Sequence, residues 1–101
     1  MIVSLLKRKT AIADEAEWEK RAARYLERVR PLLETQPGFA GIDLRRGAAG
    51  ELTEETRWQS EDDCRRYVRD GGAALVATVA DAILPTAPFP GGSWVRETSE
   101  E

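Results

Sequence analysis

The stretch Thr56-Arg57-Trp58-Gln59-Ser60-Glu61-Asp62-Asp63-Cys64-Arg65-Arg66-Tyr67-Val68 restricts the possible folds more than any other part of the chain. Its first residues end a strand on a tryptophan, and its last ones open an amphipathic helix. Between them Ser60 has an acid three residues on, Asp63, which makes a near capping box. So short a joint directs Trp58 and Tyr67 toward a common space, and the rest of the chain is arranged around that space.

Upstream, Ile2 to Lys9 is predicted as the first strand, with Val3 and Leu5 on one face and Ile2, Ser4 and Leu6 on the other. Both faces are largely apolar, so both should be covered. Lys7-Arg8-Lys9 leads out of this strand, and a solvated strand end is the plain reading, because no glycine-rich loop marks a phosphate site. Asp14 is placed to cap a helix whose first turn carries Glu15 and Glu17. Trp18, Ala22, Tyr25, Val29 and Leu32 then recur at helical spacing, widened by Leu26 and Leu33. Core filling is the simpler role for Trp18 and Tyr25. Pro31 should bend the last turn, and Gln36-Pro37-Gly38 ends the helix.

Phe39 to Arg46 and Glu51 to Gln59 read as two strands joined into a hairpin by Gly47-Ala48-Ala49-Gly50. On the later strand Leu52, Glu54, Thr56 and Trp58 share a face. Glu54 is there either as a solvated edge carboxylate or as a pocket acid. The helix after Ser60 presents Cys64, Tyr67 and Val68 inward, and Asp70-Gly71-Gly72 interrupts it, since two glycines cost about 2 kcal/mol against alanine. A second segment runs from Ala73 to Leu84 with Leu75, Val76, Val79, Ala82 and Ile83 apolar. Pro85 to Gly92 is a loop, and Ser93 to Thr98 is a last strand with Trp94 and Arg96 on one face; Ser99-Glu100-Glu101 is an acidic tail. The order is βαββαβ: an α+β, ferredoxin-like domain with a four-stranded antiparallel sheet and two helices on one face.

Length and composition narrow the chemistry. A chain of 101 residues is one domain, and its net charge of −3 gives no general attraction to nucleic acid or to an anionic membrane surface. No apolar run reaches the length of a membrane span and the first residues lack a signal-peptide pattern, so a cytoplasmic location is expected. The chain has no histidine, which removes Ser-His-Asp and Cys-His catalysis, histidine-ligated zinc and proximal-histidine haem. Cys64 is the one cysteine, so neither an internal disulfide nor a cysteine-only metal site within one chain is available. It reads as a small core residue. A general base must come from Asp, Glu, Lys, Tyr or Cys, or from the substrate itself.

Gln-Pro-Gly-Phe-Ala-Gly-Ile after the long helix, followed by Arg-Trp-Gln-Ser-Glu-Asp-Asp-Cys-Arg-Arg-Tyr-Val, resembles the antibiotic biosynthesis monooxygenase domain family of the dimeric α/β-barrel group. The resemblance covers nearly the whole chain in element order. It implies a homodimer formed through sheet faces, with a cavity in each protomer between helices and sheet. It also implies oxidation of a small aromatic substrate, a polyketide-like phenol or anthrone, by molecular oxygen with no metal or other cofactor. By that resemblance Trp58, Tyr67 and Arg96 are the candidate catalytic residues, and Trp94, Glu54, Phe39 and Cys64 the candidate substrate contacts. Two features depart from the pattern. The chain has no asparagine for the polar position on a pocket-facing strand, and Thr56 stands where the family often has glutamate two residues before the tryptophan. A small-molecule-binding or accessory dimer, and a polyketide cyclase or isomerase with Glu54 or Asp43 as general base, are the alternatives on the same fold.

Overall fold

The computed structural model describes residues 1–47, 50–85 and 95–100. The elements run β1 (Ile2–Lys9), α1 (Glu15–Glu34), β2 (Phe39–Arg46), β3 (Glu51–Trp58), α2 (Glu61–Arg69), α3 (Gly72–Ile83) and β4 (Val95–Glu100). The strands form one antiparallel sheet in the order β2-β3-β1-β4. The interruption expected at Asp70-Gly71-Gly72 is present and separates α2 from α3, so the described residues hold three helices where the βαββαβ order counted two. Ala48, Ala49, Trp94 and the Thr86–Gly92 part of the proline-rich loop lie outside the described residues. The expected acidic tail is partly strand: Ser99 pairs with Val3 and Glu100 with Ile2.

Both predicted caps form. The Asp14 side chain accepts from the Glu17 amide, and the Ser60 side chain accepts from the Asp63 amide. The buried stripe of α1 is Trp18, Ala22, Tyr25, Val29 and Leu33. Leu33 ends it instead of Leu32, because it stands one helical turn beyond Val29. In α2 only Cys64 and Tyr67 turn inward, while Val68 is exposed; in α3 Val76 and Ala80 are buried and Leu75 and Ala82 are exposed. The interruption lets α3 present its own buried face.

The two sequence motifs meet in space. Gly38 has φ +77°, and a Cβ built there would lie 2.1 Å from the Asp63 carboxylate, so the glycine lets the α1–β2 turn sit against the cap of α2. The Gln59 amide donates to the Gly38 carbonyl at 2.8 Å, closing the same joint. Gly41 passes beneath the Arg57 guanidinium, 2.3 Å from where its Cβ would be.

Strand alternation sorts the sheet into two faces. Ser4, Leu6 and Arg8 of β1, with Leu52, Glu54, Thr56 and Trp58 of β3, are buried beneath the helices. The opposite face carries Val3, Leu5 and an ion-pair cluster. There Arg57 Nη1 lies 2.6 Å from Asp43 and 2.7 Å from Glu55, and Arg45 pairs with Glu55. The hydrogen bond to Asp43, then that to Glu55, raises the proton affinity of Arg57. Asp43 is therefore on the wrong side of the sheet to act as a base in a cavity under the helices.

Candidate functional site

β3 carries the site. Its inward row ends on Trp58, which is fully buried. The indole is tilted 32° to the Tyr67 ring at a centroid distance of 4.7 Å, and it meets Phe39 edge-on at 5.6 Å. Each such contact contributes about 0.5–1.5 kcal/mol beyond area burial. The indole N–H donates to Thr56 Oγ1 at 3.0 Å, one step back along the same face. Thr56 thus satisfies the buried tryptophan. Cys64 is buried in the same core cluster, which Phe39, half-buried, packs against.

Below this aromatic group the row continues to Glu54, only 4% exposed. The solvated carboxylate that the sequence suggested is instead covered by α1, whose Tyr25 hydroxyl donates to Glu54 Oε1. Burial raises the proton affinity of the Tyr25 phenolate far above that of ordinary tyrosine, and the Glu54 charge and hydrogen bond add to the effect. The phenol therefore stays protonated and acts as a donor. Among the described residues Glu54 is the only buried carboxylate.

Arg8 was not expected here. Lys7 is solvated, but Arg8 is buried, with its side chain 2% exposed. Its Nη2 donates to Asp81 Oδ1 at 3.0 Å and to the Leu84 carbonyl at 2.8 Å. The sequence did carry a signal: Arg8 shares the alternation of Ser4 and Leu6, the face that ends up inside. Arg96 pairs with Leu6, which pairs with Glu54, so the three residues occupy one row across the sheet. Trp94 lies outside the described residues.

Trp58, Tyr67 and Cys64 thus share one core cluster with Phe39 against it, and Glu54 lies further along β3 on the same helix-covered face. Two openings border the other end of β1. One of about 430 Å³ is lined by Thr10 to Ala13 with Arg46 and Gly50, and one of about 310 Å³ by Lys7, Arg8 and Glu51 to Thr53. Among the described residues no group of three or more Cys, Asp or Glu side chains is placed to hold a metal ion, and no helix is long and apolar enough to cross a membrane.

No protein-family model matches the chain, and no curated protein matches it significantly in sequence. Solved structures do match. A putative antibiotic biosynthesis monooxygenase from Bordetella bronchiseptica superposes with a TM-score of 0.70 at 16% identity, over 99% of this chain and 95% of that one. The monooxygenase from the gene ActVA-Orf6 of Streptomyces coelicolor, in complex with the ligand Nanaomycin D, gives 0.69 at 16% identity, over 99% and 86%. SnoaB, a cofactor-independent oxygenase from Streptomyces nogalater, gives 0.61 at 22% identity, over 99% and 92%. The order of elements, the joint from Trp58 into α2 and these superpositions agree: the chain has the fold of the antibiotic biosynthesis monooxygenase domain proteins.

Proposed function

We propose that the protein is a cofactor-independent monooxygenase that oxidises a small aromatic substrate, a polyketide-like phenol or anthrone, with Glu54 as the general base. The observation that carries this reading is a buried carboxylate, held by the Tyr25 phenol, in the same inward row as Trp58. Glu54 takes the proton of an activated anthrone CH2. The resulting carbanion passes an electron to oxygen, and recombination gives a peroxide at that carbon. Loss of water leaves the carbonyl, so CH2 and O2 become C=O and H2O, and the substrate supplies every electron. The protein contributes positioning and proton transfer.

Trp58, Tyr67 and Phe39 supply the aromatic wall. Because Trp58 is covered by the other two rings, a ligand reaches it when Tyr67 or the half-buried Phe39 swings aside. Arg96, opposite Leu6 in register, is the cation proposed for the developing phenolate. The reading includes a homodimer through the open sheet faces, supported by the half-buried Leu5 beside the Arg57 ion-pair cluster.

Oxygen uptake by metal-stripped protein on a panel of anthrone-type phenols, with the solution mass measured alongside, tests the proposal. Uptake should match quinone formation one to one, and Glu54→Gln should lower it by about 10²–10⁴-fold. Uptake no faster in the wild type than in folded Glu54→Gln rules out this mechanism. The buried Glu54 also favours a second reading, cyclisation or isomerisation by proton transfer alone, in which product forms equally well without oxygen.

A further inference from the structure

Arg8 and Glu54 lie on adjacent strands of the covered face. Leu6 pairs with Glu54 and Arg8 with Leu52, which makes Arg8 and Glu54 diagonal neighbours. Such neighbours stand about 7–8 Å apart at the backbone, within reach of a long side chain. A buried guanidinium needs an anion in the same low-dielectric surroundings. Asp81 touches it at 3.0 Å, but the Asp81 side chain is 60% exposed and water screens its charge. Glu54 is buried and unscreened. We infer that Arg8 is the positioning residue of Glu54: its guanidinium keeps the buried carboxylate ionised, and so a base, while Asp81 and the Leu84 carbonyl hold Arg8 in place.

The inference rests on the proposed role of Glu54 as base, and two further observations support it. Burial lowers the proton affinity of Arg8, and the charge of Asp81, then Tyr25 and last Glu54, opposes that. The anchor of Arg8 is also independent of Glu54. Its Leu84 carbonyl neighbours that of Ile83, which accepts from Arg21 at 3.2 Å, so two arginines fasten the end of α3. Among the described residues, Tyr25 of α1 bonds Glu54, Arg8 of β1 stands diagonally beside it and is held by Asp81 of α3, and Tyr67 of α2 acts on Tyr25; Arg96 of β4 is opposite Leu6 in register.

A carboxyl-selective ¹³C NMR titration of Glu54 in the full chain tests this without any substrate. Arg8→Met should raise the Glu54 midpoint by about 1–3 units, and Arg8→Lys should recover most of that shift. Asp81→Asn, on an exposed side chain, should lower the midpoint by leaving Glu54 as the anion of Arg8. A midpoint unmoved in Arg8→Met overturns the inference. Should Arg8→Met not fold, a midpoint that stays or rises in Asp81→Asn overturns it equally. A Glu54 that responds as expected in a protein that turns over no substrate would sink the oxygenase reading and leave the role of Arg8 standing.

Discussion

Replacing Tyr25 by phenylalanine removes one hydroxyl from the core and leaves the ring. The lost interaction is a buried hydrogen bond to the Glu54 carboxylate, so the variant should be less stable at neutral pH by about 1.5–3 kcal/mol. The difference should itself depend on pH. In the folded protein burial, with Glu54 adding to it, holds the phenol protonated far above the usual tyrosine range, while in the unfolded chain it ionises near pH 10. A folded-state pKa raised above the unfolded value stabilises fully below the unfolded value and progressively less as pH rises past it. Above about pH 10 the unfolded wild type releases a proton that the folded state keeps, and stability falls by about 1.4 kcal/mol per pH unit from this group alone. The Tyr25→Phe variant has no such proton. A wild-type advantage of about 2 kcal/mol should therefore shrink above pH 10 and vanish about 1.5 units higher. Urea unfolding of both proteins, followed by tryptophan fluorescence between about pH 7 and 11.5, gives the difference directly and cancels the titration of the other groups. An advantage that stays constant across this range refutes the argument, because Tyr25 would then ionise alike in both states.

Trp58→Ala should cost about 3–5 kcal/mol, since the ring is fully buried between Phe39 and Tyr67; urea unfolding monitored by circular dichroism measures it, and a loss below about 1 kcal/mol would mean that the neighbours close over the gap. Gly38→Ala should destabilise by at least about 1–2 kcal/mol from its positive φ, with more from the approach to Asp63. Because the Asp63 Cβ itself would lie 2.6 Å from the added Cβ, only an Asp63→Gly background should leave the backbone part alone, and a double-mutant cycle showing no coupling between the two sites would refute the contact.

The sequence revealed most of the frame because its signals were local. The caps at Asp14 and Ser60, the period of α1 from Trp18 to Val29 and the alternation of β3 each depend on residues a few positions apart, and all appear in the structure. Arg8 and Glu54 were harder to read for a physical reason. A charged residue usually stays outside, and what reverses the rule here is a partner distant in sequence: Tyr25 for Glu54, and Asp81 with the Leu84 carbonyl for Arg8. Alternation placed both on the inward face, and polarity argued against it. Val68 and Leu75 misled in the opposite direction. They are apolar yet exposed, because the short α2 turns only Cys64 and Tyr67 inward and α3 turns only Val76 and Ala80 fully inward.

That conflict between pattern and polarity is itself a clue to the site. Along β3 the inward positions are Leu52, Glu54, Thr56 and Trp58, and the outward ones include Glu55 and Arg57. If burial alone had shaped the strand, the inward row would be apolar throughout, since a buried carboxylate costs several kcal/mol unless hydrogen-bonded and charge-balanced. The chain places a glutamate there, bonds it to a phenol from α1 and sets an arginine of β1 diagonally beside it. Three charged or polar side chains from three elements are more than a core of this size needs to fold. On the outward side the Arg57 cluster answers to a different requirement, that of an open face. A slip of one residue in the pairing of β3 would exchange the two sets, putting Arg57 under the helices and Glu54 in water. Register is therefore the property on which the proposed base depends, and the Gly38–Asp63 joint next to Trp58, where β3 passes into α2, is the contact placed to fix it.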